Sequence, residues 1–217
     1  MVWVVSVAIG LVAAAVTAWV VPRVTVDDPD APEFAGLASP RWVAVSAVAA
    51  LASAQILWLV PQHTWWLWSA YLAFGVPLIL VDLRTTFLPR ALDRWLLGAM
   101  AIGLAALALA DLTAAAWAVA GGAAACLFLF VAYRVSGSLG FGDVRLAAAV
   151  GAVAGQHGLM AWAVALFAGT ALGAVHGIVH AAVRRAKPSL PAYYPYGPAL
   201  WLGPLVAAGL LATGWSA

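Results

Sequence analysis

Eight residues of the chain are acidic, and three of them lie where a carboxylate needs a reason: Asp82, Asp93 and Asp143. Asp82 follows the unbroken apolar run "VPLILV" within "GVPLILVDLRTTFLPRALDRW". Asp143 ends the glycine-rich stretch "GSLGFGD" and opens a second apolar segment. Ionisable side chains at the edge of such segments are costly and mark functional sites by default. Two carboxylates meeting in a partly dry cleft cannot both ionise cheaply, so one holds a proton while the other stays charged. Such a pair can activate a water molecule and protonate a leaving amine, which is the chemistry of aspartic proteolysis. Gly140 and Gly142 fit that reading, because glycine permits backbone angles and close approaches that a side chain forbids. Structural roles stand beside these. Asp143 can instead cap the helix that follows it. Asp82 can pair with Arg84 or a nearby helix, and Asp93, beside Arg94, reads as a helix cap or an ion-pair partner. Of the other acids, Asp27, Asp28, Asp30 and Glu33 fall in the turn-rich stretch "DDPDAPE", read as a solvated linker, and Asp111 falls at a helix end.

The elements that must position these residues belong to a membrane. The 217-residue chain is 66% hydrophobic and 8% charged, with a mean hydropathy of +1.02. An ordinary soluble domain carries about 25% charged residues. The expectation is an all-α polytopic membrane protein forming a single membrane domain over residues 1–217. A net charge of +2 gives no reason to expect nucleic acid as a partner. The lone cysteine, Cys126, excludes an internal disulfide and a cysteine-based zinc site. The amino-terminal "MVWVVSVAIGLVAAAVTAWVV" has no basic residue before it, and reads as a retained membrane helix rather than a signal peptide.

A spanning helix needs about 20 apolar residues. Eight segments are expected, near 2–21, 41–60, 65–82, 92–110, 113–133, 143–155, 159–182 and 197–214, the sixth being short. All ten basic residues fall in, or at the helix ends beside, the first, third, fifth and seventh connections: 22–40, 83–91, 134–142 and 183–196. Basic residues mark the cytoplasmic side. The first loop, 22–40, is therefore a cytoplasmic linker, and both termini lie outside. If the sixth segment did not cross, Arg184, Arg185 and Lys187 would move to the outer side, so the charge pattern argues that it crosses. This topology puts Asp82 and Asp143 at the same face and at similar depth, although 61 positions separate them. Tryptophans such as Trp65, Trp66 and Trp68 read as interfacial anchors.

"GFGD" at 140–143 resembles the GxGD motif of intramembrane aspartyl proteases. Its continuation, "GDVRLAAAVGAVAG", resembles the segment after that motif in type IV prepilin leader peptidases, where a lysine often stands at the position of Arg145. "VDLRTTFLPRALD" at 81–93 resembles their other aspartate motif, and "YPYGPALWLG" at 194–203 resembles the start of their last helix. The resemblance implies a membrane-embedded aspartic endopeptidase that removes the basic leader from prepilins or pseudopilins. Cleavage would take place at the cytoplasmic face of the inner or plasma membrane. Asp82 and Asp143 would be the catalytic carboxylates, Gly140 and Gly142 would shape the backbone beside the substrate, and no metal or organic cofactor would be needed. Bifunctional members carry a cytoplasmic domain after helix one, often with paired cysteines, and also methylate the new amino terminus. Here the first loop has 19 residues and no cysteine, so the resemblance extends to the peptidase reaction and leaves the methylation unsupported. The short form is similar to the peptidases of tight-adherence pilus systems.

Other readings share parts of this pattern. Presenilin-like proteases also carry GxGD, and Pro198-Ala199-Leu200 spells their PAL motif, but Val81 stands where they tend to have tyrosine. A transporter could use Asp82 and Asp143 as proton or cation sites. Transporter sites, however, sit near the midplane, often between repeated halves, and no repeat is evident here. A non-catalytic pilus-assembly protein would not need both aspartates. His176 and His180, four apart on one helix, have spacing that suits a metal but lack an evident third ligand. Gly169, Gly173 and Gly177 form a stripe that suits close helix packing. The substrate's identity and the oligomeric state are not encoded in these features.

Overall fold

The computed structural model of the chain describes residues 1–26, 31–136, 139–187, 189 and 193–214. Among them the fold is all-helical. Eight α-helices follow one another: α1 (Val2–Ala15), α2 (Pro40–Ser53), α3 (Trp65–Thr85), α4 (Arg90–Ala110), α5 (Leu112–Ser136), α6 (Phe141–Gly155), α7 (Leu159–Ala186) and α8 (Gly197–Ala212). Each falls on one of the eight expected segments. Six stretches, those containing α1 to α5 and α7, are long and apolar enough to cross a membrane. The other two helices are shorter. At 1.5 Å per residue, α6 extends roughly 22 Å and α8 roughly 24 Å, against a hydrocarbon core of roughly 30 Å. The acidic stretch at 27–30 lies outside the described residues.

The helix limits follow from local chemistry. α1 continues through a wider turn at Val16–Val20 into a tight turn at Val21–Arg23, which contains Pro22. Pro40 opens α2 at a position where its missing N–H costs nothing. α3 tolerates Pro77 in its interior and ends where Thr86 turns left-handed, with φ +59°. Pro89, itself extended with ψ 134°, then stands as the residue before the first turn of α4. Asp111 Oδ1 accepts the backbone N–H of Ala114 at 2.9 Å and so closes the start of α5. Gly158, with φ +92°, allows the tight turn between α6 and α7.

The last four helices are held by backbone-close contacts. α5 and α6 touch through glycine. A Cβ on Gly151 would lie 2.3 Å from the Gly121 carbonyl oxygen, and one on Gly155 would lie 2.6 Å from that of Trp117. α7 and α8 meet in the same way, with a Cβ on Gly203 falling 2.2 Å from the Ala165 oxygen. Such packing, rather than hydrophobic expulsion, associates helices within lipid. α6 is the most enclosed helix, with neighbours on α3, α4, α5, α7 and α8; ten of its fifteen residues are buried. Tyr71 on α3 stacks on Trp201 of α8 at 5.6 Å and donates its hydroxyl to the Trp201 carbonyl at 2.7 Å. This ties α3 to α8 beneath the site described next.

Candidate active site

Asp82 sits in the last turn of α3 and Asp143 in the first turn of α6. The two residues are 3% and 7% exposed, and both line one cavity of about 680 Å³. Its wall is made by Thr86, Phe87 and Leu88 after α3, by Leu139 and Gly140 before α6, and by Tyr193, Tyr194 and Tyr196 before α8. Three connections therefore border a pocket in which two carboxyl groups share the lining with the Thr86 hydroxyl and three tyrosines.

Each carboxyl group is held by the backbone of a glycine. Asp143 Oδ2 accepts the N–H of Gly140 at 3.0 Å, reaching back over its own helix start. Asp82 Oδ2 accepts the N–H of Gly197 at 2.9 Å, across 115 positions. Neither Oδ1 makes a hydrogen bond among the described residues, and neither is a buried orphan. The expected closure of α6 by Asp143 is thus present, together with its place in the cavity. Asp82 does not pair with Arg84, whose guanidinium lies over the Trp42 ring at 5.2 Å.

The close approach expected of the two glycines is found at Gly142 and not at Gly140. A Cβ on Gly142 would lie 2.5 Å from the Cβ of Leu88. Gly140 has φ −79°, which any residue adopts, and a Cβ there would meet only an ordinary 3.4 Å contact with Asp143. The contribution of Gly140 is its N–H.

The strap before α8 is fixed to α7 by two tyrosines. The Tyr196 ring occupies the space over Gly173, and the Tyr194 ring that over Gly177; added Cβ atoms would meet them at 2.2 Å and 2.9 Å. The α7 glycine stripe therefore packs as expected at Gly169, against the Leu200 backbone, and receives rings at its other two positions. Both histidines of the i, i+4 pair face the same ring, with His176 at 5.4 Å and His180 at 6.0 Å from Tyr194. Burial, then the nearby Asp143 carboxyl and Tyr194, push the Tyr196 phenol up to about 12. Burial and Asp143 also raise Tyr194. Both phenols keep their protons and remain donors.

Asp93 finds its partner far from Arg94. Its Oδ2 receives the Arg145 Nε–H at 2.6 Å, and Arg145 also donates from Nη2 to the Leu88 carbonyl at 3.2 Å. Sequence reasoning missed Gly197, Leu88, Tyr194, Tyr196 and this pairing. The signal available for three of them was the "YPYG" stretch just before α8.

Chemically, two carboxyl groups lining one pocket can serve as general base and general acid towards a water molecule held there. The phenols beside them can donate to a polar backbone. Residues 69–178 of the chain match the model of the type IV leader peptidase family. That segment contains Asp82, Asp93, Asp143 and Arg145. No curated protein and no solved structure matches the chain.

Proposed function

The chain belongs to the type IV leader peptidase family, and on that premise we propose that it is a membrane-embedded aspartic endopeptidase acting on the basic leader of prepilins or pseudopilins. The observation that carries this reading is the sharing of one cavity by Asp82 and Asp143. These are the two catalytic carboxyls of the proposal, and residues 1–217 act as one peptidase domain. All eight helices cross the inner or plasma membrane, both termini lie outside, and loop 22–40 is cytoplasmic. The charge asymmetry of the connections supports that orientation. The active site then opens at the cytoplasmic face, where a cationic leader preceding an apolar helix would present its cleavage site.

In the reaction, an extended substrate lies along the 139–142 backbone, with Leu88 packed into the space that Gly142 leaves. A water molecule sits between the free Oδ1 atoms. One carboxylate takes a proton from this water as its oxygen adds to the scissile carbonyl carbon. The other, protonated, carboxyl gives its proton to the carbonyl oxygen. Collapse of the tetrahedral intermediate breaks the C–N bond. The proton taken from water passes to the departing nitrogen, so water's atoms are divided between the new carboxyl and amino termini. The glycine N–H groups on the Oδ2 atoms hold both side chains in place while the proton moves.

The test is co-expression with a candidate prepilin in a host lacking its own leader peptidase, read by gel and mass spectrometry. Cleavage by the parent, and not by Asp82→Asn or Asp143→Asn, is expected. Cleavage that survives either substitution removes that residue from the pair. Several prepilins left uncut by folded protein would overturn the peptidase reading. The product's mass also reports whether its new amino terminus is methylated.

A further inference from the structure

A buried ion pair contributes little net stability, because desolvation of both charges offsets their attraction. The Asp93–Arg145 pair is a costly example. Asp93 is 1% exposed, and its Oδ1 has no hydrogen-bond partner. An apolar pair of similar volume would fill the same space more cheaply, so the pair calls for a reason other than stability.

Its geometry supplies one. Arg145 lies two residues beyond Asp143 on α6. Its guanidinium reaches two different elements at once: the Asp93 carboxylate in the first turn of α4, and the Leu88 carbonyl in the connection between α3 and α4. The same guanidinium lies over the Phe141 ring at 5.5 Å, and Phe141 packs edge-on against Tyr133 of α5. Leu88 itself presses its side chain into the notch left by Gly142. Thr86, Phe87 and Leu88 follow Asp82 within six positions and form one wall of the cavity, while Gly140, Gly142 and Asp143 form another. A planar fork with donors in fixed directions can bridge two such acceptors, which a single ammonium point charge cannot do in the same way.

We propose that Arg145 and Asp93 are positioning residues, whose ion pair clamps the start of α6 to the 86–89 wall and thereby sets the separation of Asp82 from Asp143. The proposal rests on the reading of those two aspartates as the catalytic pair. Neither clamp residue lines the cavity or touches the substrate.

The experiment uses the full chain in nanodiscs and compares the parent with Asp93→Leu/Arg145→Leu and with Arg145→Lys. Asp82→Asn and Asp143→Asn serve as controls, and the substrate is a prepilin peptide that the parent cuts. In the double leucine variant, thermal stability and KM are expected to stay near the parent, while kcat falls about 100-fold from ångström-scale misplacement. Arg145→Lys keeps the pair but weakens the Leu88 link, and its kcat falls by less. A second readout does not depend on activity. Spin labels at Thr86→Cys and Leu139→Cys, in a Cys126→Ser background, are expected to give a narrow distance distribution that broadens in the double variant. Parental kcat in the double leucine variant overturns the clamp, as does an unchanged label distribution. If the double variant does not fold, parental kcat in Arg145→Lys overturns it. Failure of the parent to cleave, or cleavage by the asparagine controls, strikes the catalytic reading instead, and the labels still report on the clamp.

Discussion

The backbone N–H of Gly197 points at Asp82 Oδ2 from 2.9 Å, although 115 positions lie between them. There is no room for a side chain at this contact: a Cβ on Gly197 would stand 2.6 Å from that oxygen. The start of α8 therefore helps to define the position of a carboxyl group on α3.

Gly197→Ala is accordingly expected to push the Asp82 carboxyl aside and lower kcat by about tenfold or more, with the protein still folded. Gly209, also on α8, has nothing within 4 Å of an added Cβ, and Gly209→Ala should cleave like the parent. Steady-state kinetics on both variants decides the matter; equal rates would mean that the contact does not position the carboxyl.

Crossing by the short α6 can be tested separately. In a Cys126→Ser background, Leu139→Cys and Leu159→Cys, which flank α6, should react with an impermeant thiol reagent from opposite sides of intact cells or inverted vesicles. Labelling from the same side would remove α6 from the spanning helices and place the α7 end elsewhere.

His157, in the turn between α6 and α7, receives the Trp68 indole N–H at its Nε2, 3.1 Å away. Burial, and then His63, lower its pKa from 6.5 to about 4. The unfolded chain thus takes up a proton that the folded chain refuses. The contribution of this group to stability is complete above the unfolded value and is lost as pH falls from about 6.5 towards 4. The melting temperature in detergent should drop over that window, and His157→Gln, which keeps an acceptor for Trp68 without titrating, should flatten the drop. An identical pH profile in the variant would assign the drop to other groups.

The α5–α6 contact makes a prediction whose sign depends on position. Gly151→Val drives methyl groups into the Gly121 carbonyl, at 2.3 Å already for the Cβ. Overpacking of this kind costs about 1–3 kcal/mol. Gly98, on α4, has open space around it, and Gly98→Ala should be neutral or stabilising by roughly 0.5 kcal/mol. Thermal denaturation of the two variants beside the parent provides the comparison.

Local pattern was enough to find all eight helices, because apolar length and the turn residues between segments are local properties. For the sixth, only the expectation that it crosses needed the distribution of basic residues, since its 13 expected residues are too few to argue a crossing from length. Asp82 and Asp143 could be singled out because a carboxylate beside an apolar run is anomalous wherever it occurs. Their tethers could not. The partners of Asp82 and of Asp93 are 115 and 52 positions away, and no periodicity within one helix indicates which residue of another will face it. The histidines of α7 have a partner that is equally remote in sequence. Their spacing suits a metal, but with no evident third ligand packing was the expectation, and both imidazoles lie against a tyrosine ring from a distant loop. His157, in the turn, holds α3 to the α6–α7 corner through a partner 89 positions away.

The enclosure of α6 has a consequence for what its sequence is free to be. A helix whose surroundings are other helices meets protein as its solvent, and lipid sets few of its requirements. Volume, rather than greasiness, becomes the constraint, which is why alanine, valine and glycine fill it while Asp143 and Arg145 are tolerated in its opening turns. Ala147, fully buried, should accept serine far more readily than leucine. In proteins built this way, the helix richest in chemistry is also the one that a hydropathy scan is least able to see.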